Sequence, residues 1–69
     1  MHEYNYQIID AYDNQPMHAG TVYADDPEEA HSEAHADWAE HVRGGYDAGS
    51  YKADAVIAHP VHVHVEVAI

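Results

Sequence analysis

The C-terminal end of the chain alternates strictly between apolar and polar residues, and this pattern constrains the fold more than any other feature. The apolar positions are Val61, Val63, Val65, Val67 and Ile69, and the polar positions between them include His62, His64 and Glu66. Because successive side chains of a β-strand point to opposite faces, residues 61–69 are predicted to form a strand whose valine side faces the core. A strand with one apolar face needs partner strands and a covering layer.

Three other segments are predicted to be extended. Residues 4–12 and 17–24 are rich in aromatic and β-branched residues, and the turn-forming run 13–16 between them predicts a hairpin. Residues 51–58 are predicted to be a further strand, which Pro60 separates from the last one. Gly20 is expected to mark a β-bulge in the second strand.

A single helix is predicted over residues 27–43. Asp26 is placed as its N-cap, Pro27 as its first residue and Glu29 three residues after the cap, which is a typical helix start. Gly44 and Gly45 are expected to end it. The residues expected on its buried arc are Ala30, Ala34, Trp38, His41 and Val42. Trp38 is expected to be the main packing residue of the core.

These segments predict one α+β domain over residues 1–69. Its small antiparallel sheet is covered on one face by a single amphipathic helix, in the order β-β-α-β(-β). The core is expected to be thin, because the chain contains no leucine, phenylalanine or cysteine. A core in a chain below roughly 70–80 residues seldom supplies more than about 3–5 kcal/mol of stability.

The charge balance is strongly acidic. Thirteen carboxylates face only Arg43 and Lys52, which gives a formal charge of −11 with neutral histidines. Such a charge disfavours direct binding to nucleic acid or to anionic membranes. The absence of cysteine excludes a disulfide framework, and neither a signal peptide nor a membrane span is indicated. We therefore expect a soluble protein of the cytoplasm.

Eight histidines raise the hypothesis of a metal site. His31 and His35 lie one helical turn apart and are the candidate ligands, although their spacing does not fit the HExxH zinc motif. His62 and His64 project from the opposite side of the last strand, so a four-histidine site would need a second chain. Solvated histidines are the preferred interpretation, and no metal or cofactor is expected. A homodimer is left open.

Catalytic patterns are missing from the sequence. There is no cysteine, no nucleophile elbow and no glycine-rich phosphate loop, and the carboxylates are expected on a solvated helix face. A core this thin also leaves little room for a substrate pocket. The chain is therefore predicted not to be an enzyme.

The strongest functional signal is a group of carboxylates on the predicted helix, which we term the acidic ridge. Its members are Glu28, Glu29, Glu33, Asp37 and Glu40, and the helix-start residues Asp25 and Asp26 extend it. Asp47 and Asp54 are candidates to extend it further. Residues spaced by four rise about 6 Å along a helix, a separation comparable to that of successive phosphates on a nucleic-acid strand. An ordinary charged face interleaves lysine and arginine, whereas this helix has one arginine at its end.

The chain resembles the small phage-encoded inhibitors, a group that includes anti-CRISPR and DNA-mimic proteins. The resemblance lies in its size, its charge, its lack of cysteine, its DDPEE helix start and its acidic ridge. The resemblance implies a partner protein with a basic, nucleic-acid-binding surface, such as a bacterial defence complex, in the cytoplasm of a host cell. Two alternatives remain open. One is a salt-adapted domain of the halophile type, and the other is a histidine-based metal-binding protein.

Overall fold

The computed structural model describes residues 1–46 and 51–68, and it has five secondary-structure elements in those ranges. They are β1 (His2–Asp10), β2 (Pro16–Ala24), α1 (Pro27–Gly44), α2 (Tyr51–Ala58) and β3 (Val61–Val67). The three strands form one antiparallel sheet in the order β2-β1-β3. The predicted α+β class and the antiparallel sheet are confirmed.

The prediction of a strand over residues 51–58 is wrong, because this segment is the helix α2. Alanine occupies three of its eight positions, and alanine has the highest helix propensity. Ala53 is buried and Val56 and Ile57 are half-buried, which is the spacing of a helix face. Pro60 stops this helix, and the His59 N–H donates to the Val56 carbonyl at 3.1 Å. The sheet is therefore accompanied by two helices.

The strand boundaries also differ in detail. β1 ends at Asp10, two residues early, because the Asp10 carboxylate accepts the Tyr12 N–H at 2.8 Å and draws the chain into a turn. Asn14 in that turn has a φ of 59°, a conformation that asparagine tolerates well. The pairing of β1 with β2 shifts between Ile8 and Ile9, so the irregularity does not lie at Gly20 as predicted. The predicted strand end at Ile69 lies outside the described residues.

The core forms between α1 and the inner face of the sheet. Its buried residues include Tyr4, Tyr6 and Ile8 of β1 and Ala30, Ala34 and Trp38 of α1. Trp38 is 2% exposed and is among the largest fully buried side chains, as predicted. His41, which was expected on the buried arc, is exposed, and Val42 is half-buried. The valines of β3 at positions 61, 63 and 65 are packed against the core as expected but are only partly buried.

Gly20 has a packing role instead of the predicted bulge. It lies opposite Tyr6 in the β1–β2 register, and the tyrosine ring passes directly over it. A Cβ atom at position 20 would lie 2.8 Å from the Tyr6 hydroxyl oxygen and 2.9 Å from a ring carbon. Only glycine leaves room for the ring to cross the neighbouring strand and reach α1.

Removal of the Trp38 side chain tests this description of the core. We expect Trp38→Ala to lower the free energy of unfolding by about 3–5 kcal/mol, because it deletes a large buried ring from a core rich in alanine. A loss of that size equals the whole stability expected for a chain this short. Circular dichroism and urea unfolding provide the measurement, with the exposed Tyr12→Ala as the control. A cooperatively folded Trp38→Ala chain of nearly native stability would contradict the description.

Candidate binding site on the first helix

The acidic ridge lies on the solvent side of α1, and all five of its carboxylate residues are exposed. The side chains of Glu28, Glu33 and Glu40 have no hydrogen-bond or ion-pair partner among the described residues. The ridge is therefore a row of hydrated negative charges on one helix.

Three of the predicted binding residues also organise the start of α1. Asp26 is the N-cap, and its carboxylate accepts the Glu29 N–H at 2.8 Å. The Glu29 carboxylate in turn accepts the Asp25 N–H at 3.1 Å, and the Asp25 side chain lies 3.4 Å from the N-terminal ammonium of Met1. These carboxylates stabilise the positive end of the helix dipole. They remain exposed, so they can contribute to the field while holding the helix end in place.

Asp37 connects the acidic ridge to the sheet. The Tyr6 hydroxyl donates a hydrogen bond of 2.5 Å to the Asp37 carboxylate. Burial, together with the hydrogen bond to Asp37 and the negative charge of that residue, raises the pKa of Tyr6 well above its usual value. Asp37 is thus a ridge residue with a structural bond, which the sequence pattern alone did not indicate.

A second contact beside Asp37 joins α1 to β2. The imidazole ring of His41 stacks on that of His18, with ring centroids 4.4 Å apart and an angle of 23° between the planes. The His18 ring also lies 5.9 Å from the ring of Tyr6. His41 therefore packs on the edge of the sheet although it was predicted to enter the core. Together with the Tyr6–Asp37 bond, this stack fixes the rotation of α1 about its axis.

A separate polar contact lies at the end of β1. The His59 Nε2 atom is 2.9 Å from the Asp10 carboxylate, and the Tyr12 ring meets the His59 ring edge-on. The Tyr12 backbone N–H and, secondly, His59 lower the pKa of Asp10 below its usual value. This contact ties the start of β3 to the β1–β2 turn. No nucleophile that would make it catalytic is in hydrogen-bond contact among the described residues.

The candidate metal ligands are not brought together. His31 is exposed, while His35 is half-buried with its ring edge-on to Trp38 at a centroid distance of 5.4 Å. His62 and His64 lie exposed on the outer side of β3. No group of three or more histidine or carboxylate side chains suited to a metal ion occurs within residues 1–46 and 51–68.

Asp47 and Asp54 are the two residues predicted to extend the acidic ridge further. Asp54 is exposed in the first turn of α2. Asp47 lies outside the described residues.

The outer face of the sheet carries a shallow polar groove. Asn5, Gln7, His64 and Glu66 line it together with part of Tyr6. The His64 imidazole lies 3.5 Å from the Glu66 carboxylate, and both side chains are largely exposed. The groove is open and polar, so it lacks the enclosed apolar walls typical of small-molecule sites.

Comparisons with protein-family models, with curated proteins and with solved structures each found no match to this chain. None of the helices in the described part of the chain is long and apolar enough to cross a membrane.

The Tyr6–Asp37 bond predicts how stability changes in alkaline solution. A tyrosine whose pKa is raised by folding holds its proton more tightly in the native state. Its contribution to stability is complete below the unfolded pKa of about 10 and is lost as the pH rises above it. We expect Tyr6→Phe to be less stable than the native chain at neutral pH and to lose less stability between about pH 9 and 11.

Urea unfolding at several pH values checks this expectation. Tyr23→Phe is the matched control, because the Tyr23 hydroxyl donates to Glu3 at 3.0 Å at an exposed position. The control should change the alkaline slope less than Tyr6→Phe does. An equal alkaline slope for the native chain and Tyr6→Phe would contradict the raised pKa of Tyr6, and equal stability of the two at neutral pH would show that the bond to Asp37 does not stabilise the fold.

Proposed function

We propose that the chain is a non-catalytic inhibitor that binds a basic, nucleic-acid-binding surface of a partner protein through the acidic ridge. The observation that carries the proposal is the row of exposed carboxylates on α1, three of which have no cationic partner among the described residues. The proposed class is that of the anti-CRISPR and DNA-mimic inhibitors, and the proposed partner is a bacterial defence complex.

The way α1 is held supports a role in recognition. The cap at Asp26, the buried Trp38 and the Tyr6–Asp37 bond fix the helix before a partner arrives. A helix that is already held in place loses little backbone entropy on binding, so more of the electrostatic attraction is retained as affinity. Complementary charge also speeds association with a basic surface. The spacing along one helix lets several carboxylates contact neighbouring cations at once.

Salt adaptation is a second candidate, and specific observations favour it as well. Within the described part of the chain, half of the buried apolar residues are alanines, which are Ala24, Ala30, Ala34, Ala39 and Ala53. Exposed carboxylates also occur outside α1, at Asp13 and Asp54. A domain of this kind would use acidic side chains for hydration and would need high salt to fold. The two functions therefore differ in the salt concentration at which the protein folds.

Charge reversal on the acidic ridge tests the proposed inhibition. Glu33→Lys/Glu40→Lys changes two exposed residues that have no structural bond, so the fold should be retained. Purified CRISPR effector complexes and restriction enzymes would be assayed for DNA binding with and without the chain. We expect the native chain to block DNA binding by at least one target, and the double variant to block it at least about tenfold less well, since several charge pairs are lost.

A matched control separates the ridge from net charge. Gln7→Lys/Asp13→Lys/Gln15→Lys raises the formal charge by the same four units, from −11 to −7, at exposed positions outside both helices. This control should retain most of the inhibition. Equal losses in the ridge variant and this control would refute the ridge as the binding surface, and failure of the native chain against every target would refute the proposed class of inhibitor.

A further inference from the structure

The outer edge of β3 is open and incompletely covered. β3 is the last strand in the order β2-β1-β3, so one side pairs with β1 and the other has no partner strand among the described residues. Val61, Val63 and Val65 are half-buried, and Val67 is 53% exposed. An edge of this kind offers unpaired backbone groups beside apolar side chains, which favours pairing with another strand.

The sequence of β3 is complementary to itself. When two copies pair antiparallel about a two-fold axis at His64, each His62 faces Glu66 of the second copy. On the inner face Val63 faces Val65, and Val61 faces Val67. Every inner pair is then valine with valine, and the outer pairs are histidine with glutamate on either side of a central histidine pair. Cross-strand pairs of these kinds stabilise a sheet.

Charge also favours this edge for a second copy of an acidic chain. Residues 59–68 contain one carboxylate, Glu66, together with three histidines. The ridge carboxylates lie on the exposed side of α1 and not on this strand. At physiological salt, charges separated by more than about 8 Å are largely screened, so the few charges on the strand itself dominate the repulsion between two copies at this edge.

The other edge of the sheet is less suited to self-pairing. β2 begins at Pro16, which cannot donate a backbone hydrogen bond, and its pairing with β1 is irregular at that end. A two-fold axis at Gly20 would place His18 opposite Val22, so the inner pairs would not match. Paired about its own centre, β2 is therefore less self-complementary than β3.

We propose that two copies of the chain associate through β3 and form a continuous six-stranded antiparallel sheet. The pairing is symmetric and closes after two copies, as most soluble homo-oligomers do. The dimer would carry two acidic ridges. This inference does not depend on the proposed inhibition, because β3 and the ridge are different surfaces.

Sedimentation velocity over a wide range of protein concentration tests the dimer without any partner present. The native chain should dimerise in a concentration-dependent way, with the weak affinity expected of a small interface. His62→Glu places like charges opposite each other at two symmetric positions and should raise the dimer Kd at least about tenfold. His62→Glu/Glu66→Lys restores opposite charges and should recover the native Kd.

Ala19→Glu is the matched control. It adds a negative charge at an exposed position of β2, the strand at the opposite edge of the sheet, and should leave the dimer Kd nearly unchanged. Circular dichroism and Trp38 fluorescence confirm that each exposed substitution leaves the fold intact. A native chain that is monomeric at every concentration overturns the proposal that β3 pairs with a second copy. A dimer unaffected by His62→Glu, or not recovered in the double variant, overturns the register.

Loss of the dimer and loss of inhibition can be told apart. Glu33→Lys/Glu40→Lys should dimerise like the native chain, because neither residue lies on β3. His62→Glu should retain the acidic ridge in full. A negative result in the dimerisation test therefore does not imply a negative result in the inhibition test, and the reverse also holds.

Discussion

The hydrogen bond from Tyr6 to Asp37 determines how the helix and the sheet fit together. The tyrosine belongs to the central strand, crosses the neighbouring strand at Gly20 and reaches the helix that carries the acidic ridge. Its ring adds to the core while its hydroxyl is satisfied by a carboxylate, so a large aromatic side chain is buried without an unpaired polar atom. The buried face of Ala30, Ala34 and Trp38 sets which side of α1 faces solvent, and the Tyr6–Asp37 contact joins that helix to the central strand.

The acidic surface and the thin core both limit the free energy of unfolding. Repulsion among carboxylates destabilises a compact state, and a core rich in alanine has little stability to spare. Several acidic residues offset part of this cost through hydrogen bonds within the fold. Asp26 caps α1, Asp10 holds the β1–β2 turn and His59, and Asp37 accepts the Tyr6 hydroxyl. Among the described residues, the ridge carboxylates without such a bond are Glu28, Glu33 and Glu40.

Patterns with a local physical cause could be predicted from the sequence. The cap at Asp26 and Pro27, the alternation of β3 and the burial of Trp38 all follow from neighbouring residues. The segment 51–58 was mistaken for a strand because its valine and isoleucine favour extended structure, while the three alanines and the tertiary packing of Ala53 favour a helix.

Long-range contacts could not be derived in this way. The Tyr6–Asp37 bond joins residues 31 positions apart, and the His18–His41 stack depends on the rotation of α1 over the sheet. The one sequence signal for the path of the Tyr6 ring was Gly20, a glycine opposite an aromatic residue on a neighbouring strand. That signal could be used only once the strand register was known. The ridge positions were predictable from helical spacing, but the structural bonds of Glu29 and Asp37 were not.

The central claim is that the acidic side chains serve recognition on a helix that the core and its local bonds already hold in place. The most direct measurement is the free energy of unfolding as a function of salt, from about 0.1 M, where screening extends about 10 Å, to molar concentrations. The claim predicts a cooperatively folded chain at the low end, with a buried Trp38. A chain that is unfolded there and gains its helix and tertiary signals only in molar salt would contradict the claim and establish salt adaptation.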